Sequence, residues 1–348
     1  MGSYLCSINI NHTKGIIMKK LLIMASALTA AVFSSAKADI SVSGSAGLAM
    51  ISGGNVIDGA PAVTAGAGLS ATAASERATS GTLFQQGGAV SFAMSTTTAN
   101  GMTVSTSGGI TMDSNDRVSN KGVSGLAAMT FAADGFSLTV GDIDLPAGGG
   151  VGEVGFVASA QVDNGGYTQT GIVTGVSDTE GYGFTASTSV GAASVTFGYL
   201  LDKNPEGANN AESASGDYGS GVTVAMPMGD LSLTLGYANV TGTADETTAG
   251  VAVSYGLGGG TLKLGYESTD EATDSSTMSA AFSGSLDADT TYAIGYTDGE
   301  AGALASTATE VKLTRALGGG VSVFAEIQSL DGSGTSGTNM AVGTTVAF

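Results

Sequence analysis

Cysteine, histidine and tryptophan are nearly or wholly missing from this sequence. The only cysteine is Cys6, the only histidine is His12, and there is no tryptophan. Beyond residue 38 the chain therefore has no thiol for a disulfide or for a thiolate metal site. It also has no imidazole, the side chain most often used as a general base and a frequent zinc ligand. These absences argue against an enzyme, and above all against one that relies on a Ser-His pair.

Positive charge is the second scarcity. Beyond residue 38 seven lysines and arginines stand against thirty aspartates and glutamates, which gives a formal charge of −23. A chain of this sign repels phosphate backbones, so nucleic acid is not expected as a partner. Carboxylates suit Ca²⁺ and Mg²⁺, so loosely bound divalent ions at acidic segments are one interpretation, and a merely solvated acidic rim is the other. No other cofactor is expected, and no metal ligand is assigned.

Long apolar runs are scarce as well. The longest, Leu21 to Phe33, follows Lys19-Lys20 and precedes Ala36-Lys37-Ala38. Its thirteen positions fall short of the roughly 20 residues that cross a bilayer as a helix. A basic pair, an apolar stretch and an A-x-A site are together typical of a secretory signal peptide. We therefore predict an upstream extension at 1–17, translation from Met18, a signal peptide at 18–38 and one folded domain at 39–348.

Glycine, by contrast, is abundant, and short alternating segments fill the rest of the chain. There are 56 glycines, and 42% of the residues are hydrophobic. Apolar residues alternate with small or polar ones, as in LSLTLGYA at 231–238 and LKLGYE at 262–267. Strict alternation predicts β-strands with one apolar face and one polar face. The strands alone fit a soluble sandwich as well as a barrel with an apolar exterior.

The links between these segments favour the barrel. Glycine-rich short links, such as 257–260 and 317–320, alternate with longer acidic links, such as 270–275 and 298–306. Successive turns of an antiparallel meander lie on opposite rims, so we expect short turns on one rim and acids on the other. Counting in this way gives sixteen strands, near 39–50, 87–97, 101–112, 123–132, 134–142, 181–189, 192–201, 218–227, 230–239, 248–256, 260–269, 275–286, 289–297, 307–316, 320–329 and 337–348.

The end of the chain adds a more specific sign. In MAVGTTVAF the residues Met340, Val342, Val346 and Phe348 share the apolar parity, and Phe348 is the last residue. Together with the signal peptide, the alternating strands and the glycine-rich turns, this ending resembles the general porins of Gram-negative outer membranes. The similarity covers 39–348 and is greatest to the alphaproteobacterial sixteen-strand type.

The resemblance implies an all-β fold, a transmembrane antiparallel up-and-down β-barrel of 16 strands in the cell outer membrane. It also implies a homotrimer of water-filled channels in outer-membrane lipid, through which small hydrophilic solutes and ions diffuse passively. Phe348 would then belong to the signal that the barrel-assembly machinery reads. The same resemblance implies a third external link that folds into the lumen and narrows it.

That third link follows the fifth expected strand, at roughly 143–180. It is too long for a plain connection. By the resemblance, its acids would supply negative charge at the constriction: Asp142, Asp144, Glu153 and Asp163. The alternative is that the link covers the barrel mouth without entering it.

Strand parity assigns few charged side chains to the inner wall. Lys263 and Lys312 have inward parity, as do Glu310 and Glu326, whereas Arg315 has outward parity beside a short turn. Porins of this type oppose the acids of the link with a basic cluster on the wall, and two lysines on late strands are a departure from that pattern. We therefore expect a net negative lumen, a weak preference for cations and a pore constriction that includes Lys263 and Lys312.

A secreted or surface-exposed structural or adhesive β protein is the alternative function. Richness in Gly, Ser, Thr and Asp is common to such proteins. A solenoid of that kind would have a constant repeat length and no alternation of short and long links, which is the opposite of the pattern here.

Overall fold

The computed structural model describes residues 38–53, 82–115, 119–124, 127–146, 180–202, 218–242, 245–270, 274–332 and 337–348. Its strands are β1 Ala38–Gly53, β2 Thr82–Thr97, β3 Thr103–Asn115, β4 Ser119–Ser124, β5 Met129–Ala133, β6 Phe136–Asp144, β7 Glu180–Val190, β8 Ala193–Asp202, β9 Tyr218–Met228, β10 Leu231–Thr241, β11 Glu246–Leu257, β12 Gly260–Asp270, β13 Ser275–Ser285, β14 Thr290–Ala301, β15 Leu304–Gly318, β16 Val321–Gly332 and β17 Gly337–Ala347. The described residues contain no helix that is both long and apolar enough to cross a membrane. The predicted extension and signal peptide lie outside the described residues.

The strands form one closed antiparallel sheet. Apart from β4 and β5, neighbours in sequence pair with each other, and β1 pairs with both β2 and β17. The segments β4 and β5 both pair with β3, at Gly109–Ser114 and at Thr103–Ser105 respectively, so they are two parts of one strand. The wall therefore has sixteen strand positions, and the predicted sixteen-strand barrel is confirmed.

The interruption between β4 and β5 is not predicted by the sequence, which indicates one strand at 123–132. Beside the interruption the N–H of Ala127 donates to the carbonyl oxygen of Ser107 at 2.7 Å. The hydroxyl of Thr106 donates to the carbonyl oxygen of Ala127 at 2.8 Å. On β6, Gly141 has a φ of 138°, and a Cβ added there would lie 2.9 Å from the Cα of Ala128. The backbones of Gly141 and Ala128 therefore lie too close together for a side chain at position 141.

The two faces of the wall are reversed relative to a soluble protein. Large apolar side chains point outward and are exposed, as at Leu264, which is 46% accessible. Hydroxyl side chains point inward and are buried, as at Thr297, which is 2% accessible. Outward apolar residues on every second position are what a lipid-facing strand requires. The predicted parity of the strands is confirmed.

Tyrosines form a belt on the outer face toward the long links. They lie near the strand ends of β7, β9, β10, β12 and β14 and are all exposed: Tyr182, Tyr218, Tyr237, Tyr266 and Tyr296. Aromatic rings with a polar end suit the boundary between hydrocarbon and headgroups. The belt therefore marks one edge of the apolar band.

The links differ from expectation in length and in charge. The sequence predicts a long link at 298–306, but β14 and β15 continue to a turn at Gly302 and Ala303, where Gly302 has a φ of 58°. Asp298 and Glu300 are therefore strand residues. Acids also lie in the short turns, at Asp134, Asp230, Asp287 and Asp289. The prediction that acids mark one rim alone was wrong, because Asp is a good turn former and is used on both rims.

The short turn between β13 and β14 is fixed by one of these acids. The carboxylate of Asp287 accepts hydrogen bonds from the N–H of Asp289 at 2.9 Å and from the N–H of Thr290 at 2.8 Å. Arg315 lies 3.5 Å from the same carboxylate and donates to the Thr290 hydroxyl at 2.9 Å. The backbone N–H of Asp289 is the main cause that lowers the pKa of Asp287 below 3.8. Because the folded pKa is lowered, these contacts contribute above pH 3.8 and are lost only as the pH falls through the lower folded value.

The seam where the barrel closes depends on a missing side chain. Gly343 on β17 pairs with Phe324 on β16 and with Ala49 on β1. The Phe324 ring lies over Gly343, so an added Cβ would be 2.5 Å from the ring and 2.5 Å from the carbonyl oxygen of Leu48. An aromatic ring over a strand glycine is a known device that pins register.

Replacing Gly343 should therefore weaken the closed barrel. We expect Gly343→Val to cost about 1–3 kcal/mol, the usual penalty of forcing extra methyl groups into a packed site. The temperature at which the folded band shifts to the unfolded position on a denaturing gel should fall. Gly256→Val is the matched control, because it adds the same side chain where the added Cβ would meet nothing closer than 3.9 Å. Equal transition temperatures for the two variants would contradict this account of the seam.

Candidate pore lining and constriction

Hydroxyl groups line the inner wall in cross-strand pairs. Thr130 and Thr139 are 2.9 Å apart, Ser187 and Thr196 are 2.8 Å apart, and Thr248 and Thr269 are 3.1 Å apart between their hydroxyl oxygens. Each pair joins inward positions of neighbouring strands, where direct cross-strand partners are close enough for such bonds. The wall is therefore polar without being charged over most of its described area.

The third link starts by crossing this inner wall. Its first residues, Leu145 and Pro146, lie against glycines that face inward on β8 and β9, namely Gly198, Gly219 and Gly221. A Cβ at Gly198 would collide with the Pro146 ring, and one at Gly221 would collide with the Pro146 carbonyl oxygen. Three glycines thus form a shallow floor, which Leu145 and Pro146 fill together with the Val240 side chain beside Gly219.

A small apolar cluster holds this crossing in place. It consists of Ile143, Leu145, Leu200, Ala238 and Val240, which are buried together on the inner side of β6, β8 and β10. Burying one leucine side chain in this way stabilises by about 1.5–3 kcal/mol. The cluster gives the link a defined direction as it leaves β6, along the inner wall and across β8 and β9.

Carboxylates with inward parity are buried. Glu246, Glu267, Glu310 and Glu326 are each at most 4% accessible. Glu310 and Gln328 stand directly opposite each other on β15 and β16. Neither carboxylate oxygen of Glu310 has a hydrogen-bond partner in the described structure. The inward parity of Glu310 and Glu326 is confirmed, but their burial removes them from direct contact with water in the lumen.

Lys312 is tied to one of these acids. Its ammonium nitrogen lies 3.8 Å from an Oε of Glu326, directly across the strand pair. It also lies 5.8 Å from the centre of the Phe324 ring. The lysine side chain is 13% accessible, so the charge is largely covered. Lys312 therefore acts chiefly as the counter-charge to Glu326 and reaches the lumen only in part.

Lys263 is in a different position. It is exposed, and its direct partners are Ser254 on β11 and Ala281 on β13, both uncharged. Lys263 and Lys312 line the same cavity of about 750 Å³ on the inner wall, toward the short turns. Both predicted inward lysines thus face the lumen.

The predicted acids of the link are not gathered with these lysines. Asp142 and Asp144 share the face of β6 with Leu138 and Val140, while the buried Ile143 is on the other face. Both aspartates are exposed, and this parity puts them on the outer side of the rim. Glu153 and Asp163 lie outside the described residues. A lumenal role for Asp142 and Asp144 would require their side chains to lie on the same face of β6 as Ile143.

Sequence reasoning missed the glycine floor. The signal was present, because Gly198, Gly219 and Gly221 all have inward parity on two adjacent strands. When each strand is considered alone, such glycines indicate only positions that weaken the strand, because they have no side chain to pack. Only the pairing of β8 with β9 shows that they adjoin and leave a shared depression.

The described residues contain no group of three or more His, Cys, Asp or Glu side chains that could hold a metal ion. The buried inward acids lie on four strands, with Glu246 on β11, Glu267 on β12, Glu310 on β15 and Glu326 on β16.

Comparisons with known proteins agree with this geometry. The profile of the Gram-negative porin family matches residues 24–335. Among solved structures, a loop-deletion mutant of OmpT, an outer membrane protein of Vibrio cholerae, has a TM-score of 0.62 at 15% identity, covering 89% of this chain and 99% of that one. An anion-selective porin from Comamonas acidovorans has a TM-score of 0.60 at 13% identity, covering 90% and 100%. A mutant of the Rh. blastica porin has a TM-score of 0.58 at 17% identity, covering 89% and 100%. None of the curated protein sequences matches the chain.

A closed sixteen-strand barrel with an apolar exterior and a hydroxyl-lined interior defines an outer-membrane channel protein. The chain belongs to the Gram-negative porin family, whose profile spans most of its length. Its location is accordingly the outer membrane of a Gram-negative bacterium. The predicted family is confirmed.

The glycine floor can be tested through the attachment of the link. Gly221→Val should displace Pro146 and Leu145 from the wall and remove about 2 kcal/mol of apolar burial. We expect faster cleavage within 143–180 under limited proteolysis of the folded protein in detergent. Thr223→Val is the matched control, because it keeps side-chain size two residues along the same face. If both variants were cleaved at the wild-type rate, Leu145 and Pro146 would not hold the link to the wall.

Proposed function

We propose that this protein is a water-filled channel for the passive diffusion of small hydrophilic solutes and ions, with a weak preference for cations. The observation that carries the proposal is the reversed distribution of side chains in a closed barrel of the porin family, apolar outside and hydroxyl-lined inside. A polar lumen needs no solute-specific contacts to let small hydrophilic molecules pass. The channel acts without a catalytic step.

The third link is proposed to narrow the lumen. The inward course of Leu145 and Pro146 over the glycine floor supports this, because a link that merely covered the mouth would not need to pack against the inner wall. Lys263 and Lys312 are proposed to contribute positive charge of the wall to this constriction, since both line a cavity on the inner wall. Glu153 and Asp163 remain candidates for its negative charge.

The cation preference is supported by the charge of the rims. Exposed acids on the described part of the long-link rim include Asp142, Asp144, Asp245, Asp270, Asp274, Glu300 and Asp331. Acids around the mouth of a channel raise the local concentration of cations and steer them inward, an effect that salt screens over about 10 Å at 0.1 M. The preference for cations should be weak, because the inward acids are buried and the exposed Lys263 adds positive charge to the lumen.

Further parts of the proposal concern assembly and ions. The chain is proposed to be exported by the segment 18–38, inserted by the barrel-assembly machinery through a signal that includes Phe348, and assembled as a homotrimer. Phe348 is exposed, and its N–H donates to the carbonyl oxygen of Gly44 at 2.9 Å, which leaves its ring on the outer face near the short turns.

The rim acids are also proposed to bind Ca²⁺ or Mg²⁺ loosely. A secreted adhesive protein is disfavoured, because the exposed outer face would then be apolar in water.

Planar lipid bilayers test the proposal. Purified protein should insert in conductance steps, with closures in groups of three for a trimer. Under a gradient of KCl the reversal potential should have the sign of a modest potassium preference, which shrinks as the salt concentration rises because the rim charges are screened. The matched control is heat-unfolded protein, which should give no steps. A chloride preference would refute the selectivity, and the absence of any conductance would refute the channel itself.

A further inference from the structure

Lys263 has an unusual environment among the charged residues of the inner wall. On its own strand the inward neighbours are Thr261 and Gly265, and across the sheet they are Ser254 and Ala281. The nearest inward acid along β12 is Glu267, four positions away, a separation of roughly 13 Å at the rise of a strand. Within the described residues no ion pair of Lys263 is formed, whereas Lys312 is paired with Glu326. Lys263 is thus an exposed ammonium group without an ion-pair partner among the described residues of the wall.

The cavity beside Lys263 is built for hydrogen bonding to an anion. Its volume is about 750 Å³, and both lysines lie at its edge. Hydroxyl side chains complete the lining, at Thr261, Ser283, Thr291 and Thr314. Hydroxyls and ammonium groups donate to carboxylate or phosphate oxygens, and bonds to charged groups are the stronger ones. Among the described lining residues the one carboxylate is that of Asp230, which is exposed in the turn between β9 and β10.

The spacing of the two lysines sets the size of the ligand. Lys263 on β12 and Lys312 on β15 are three strand spacings apart across the sheet and two residues apart along it, because the row of Lys263 runs through Ala281 and Gly295 to Glu310. At about 4.8 Å per strand and about 3.4 Å per residue, their backbones are roughly 16 Å apart. Only small side chains intervene on the inner face of β13 and β14, such as Ala281, Ser283 and Ala293. The exposed Lys263 side chain can therefore extend over this low floor toward Lys312, whose ammonium group is paired with Glu326 and partly accessible. A small molecule with two negative groups can contact both.

We propose that this cavity is a binding subsite for small dianions, organic dicarboxylates or phosphate compounds, with Lys263 as its principal contact. The inference rests on the proposed channel function, because the ligand reaches the cavity through the lumen. It also gives the pore two regions of opposite character, with acids at the long-link mouth and an anion site toward the short turns. A wholly cation-attracting lumen, as the overall charge of the chain predicts, would have no such site.

Single-channel recording with succinate as the probe tests the subsite. Succinate added on both sides of the bilayer should reduce the current through the wild-type channel in a saturable way, and acetate at equal ionic strength should do so much less. For Lys263→Gln the concentration that halves the current should rise about fivefold, the change expected from one partly solvated charge contact. Inorganic phosphate, tested in the same way, shows whether the site accepts phosphate as well as carboxylate oxygens.

Two control variants isolate the contribution of Lys263. Lys263→Arg keeps the charge and should remain near the wild-type value. Arg315→Gln removes the same charge from the outer face, where Arg315 contacts Asp287 and Thr290, and should leave the block unchanged. If Lys263→Gln channels opened normally but were blocked as strongly as the wild type, the subsite would be refuted while the channel stood. If the wild type formed no channels, the proposed function would fail instead.

Discussion

Backbone hydrogen bonding is the constraint on which this structure depends. In hydrocarbon no water is available for unpaired N–H and C=O groups, so strands that cross a membrane must close into a barrel without edges. Here β1 pairs on one side with β2 and on the other with β17, and the last residue, Phe348, exchanges hydrogen bonds with Gly44. Closure in turn requires close backbone contact at the seam, which explains the glycine under the Phe324 ring.

The distribution of side chains follows from closure. Once the backbone is satisfied, the outer face has only to be apolar, and the inner face is free to carry hydroxyls, glycines and a few charges. Inside the barrel, apolar burial has a local use. The cluster around Leu145 and Leu200 attaches the start of the third link to the wall. The hydrophobic effect, which builds the core of a soluble protein, here positions one segment within a polar lumen.

Much of the fold could be predicted because its signal has period two. Alternation located the sixteen strand positions, and parity assigned Lys263, Lys312, Glu310, Glu326 and Arg315 to the correct faces. The same count along β6, continued from Val140, assigns Asp142 and Asp144 to the outer face. The expectation that Asp142 and Asp144 lie at the constriction came from the resemblance to porins and not from strand parity. Link lengths were less predictable, since the polar residues Asp298 and Glu300 occur in a strand that continues beyond the tyrosine belt at Tyr296.

Properties that depend on pairs of strands could not be read from single segments. Gly141 of β6 closely approaches Ala128 beside the interruption, and the glycine floor exists only because β8 adjoins β9. Burial of the inward acids is likewise a result of the assembled barrel. The formal charge of −23 therefore overstates the negative charge that a solute in the lumen meets.

Labelling of single cysteines tests the reversed faces most directly, because the segment 39–348 contains no cysteine of its own. Thr234→Cys and Leu235→Cys place a thiol on the inner and the outer face of β10, one residue apart. In lipid vesicles a charged, membrane-impermeant thiol reagent should modify position 234 quickly and position 235 hardly at all, whereas a lipid-soluble reagent should modify position 235. Equal modification of both positions by the charged reagent would contradict a water-filled lumen inside an apolar wall.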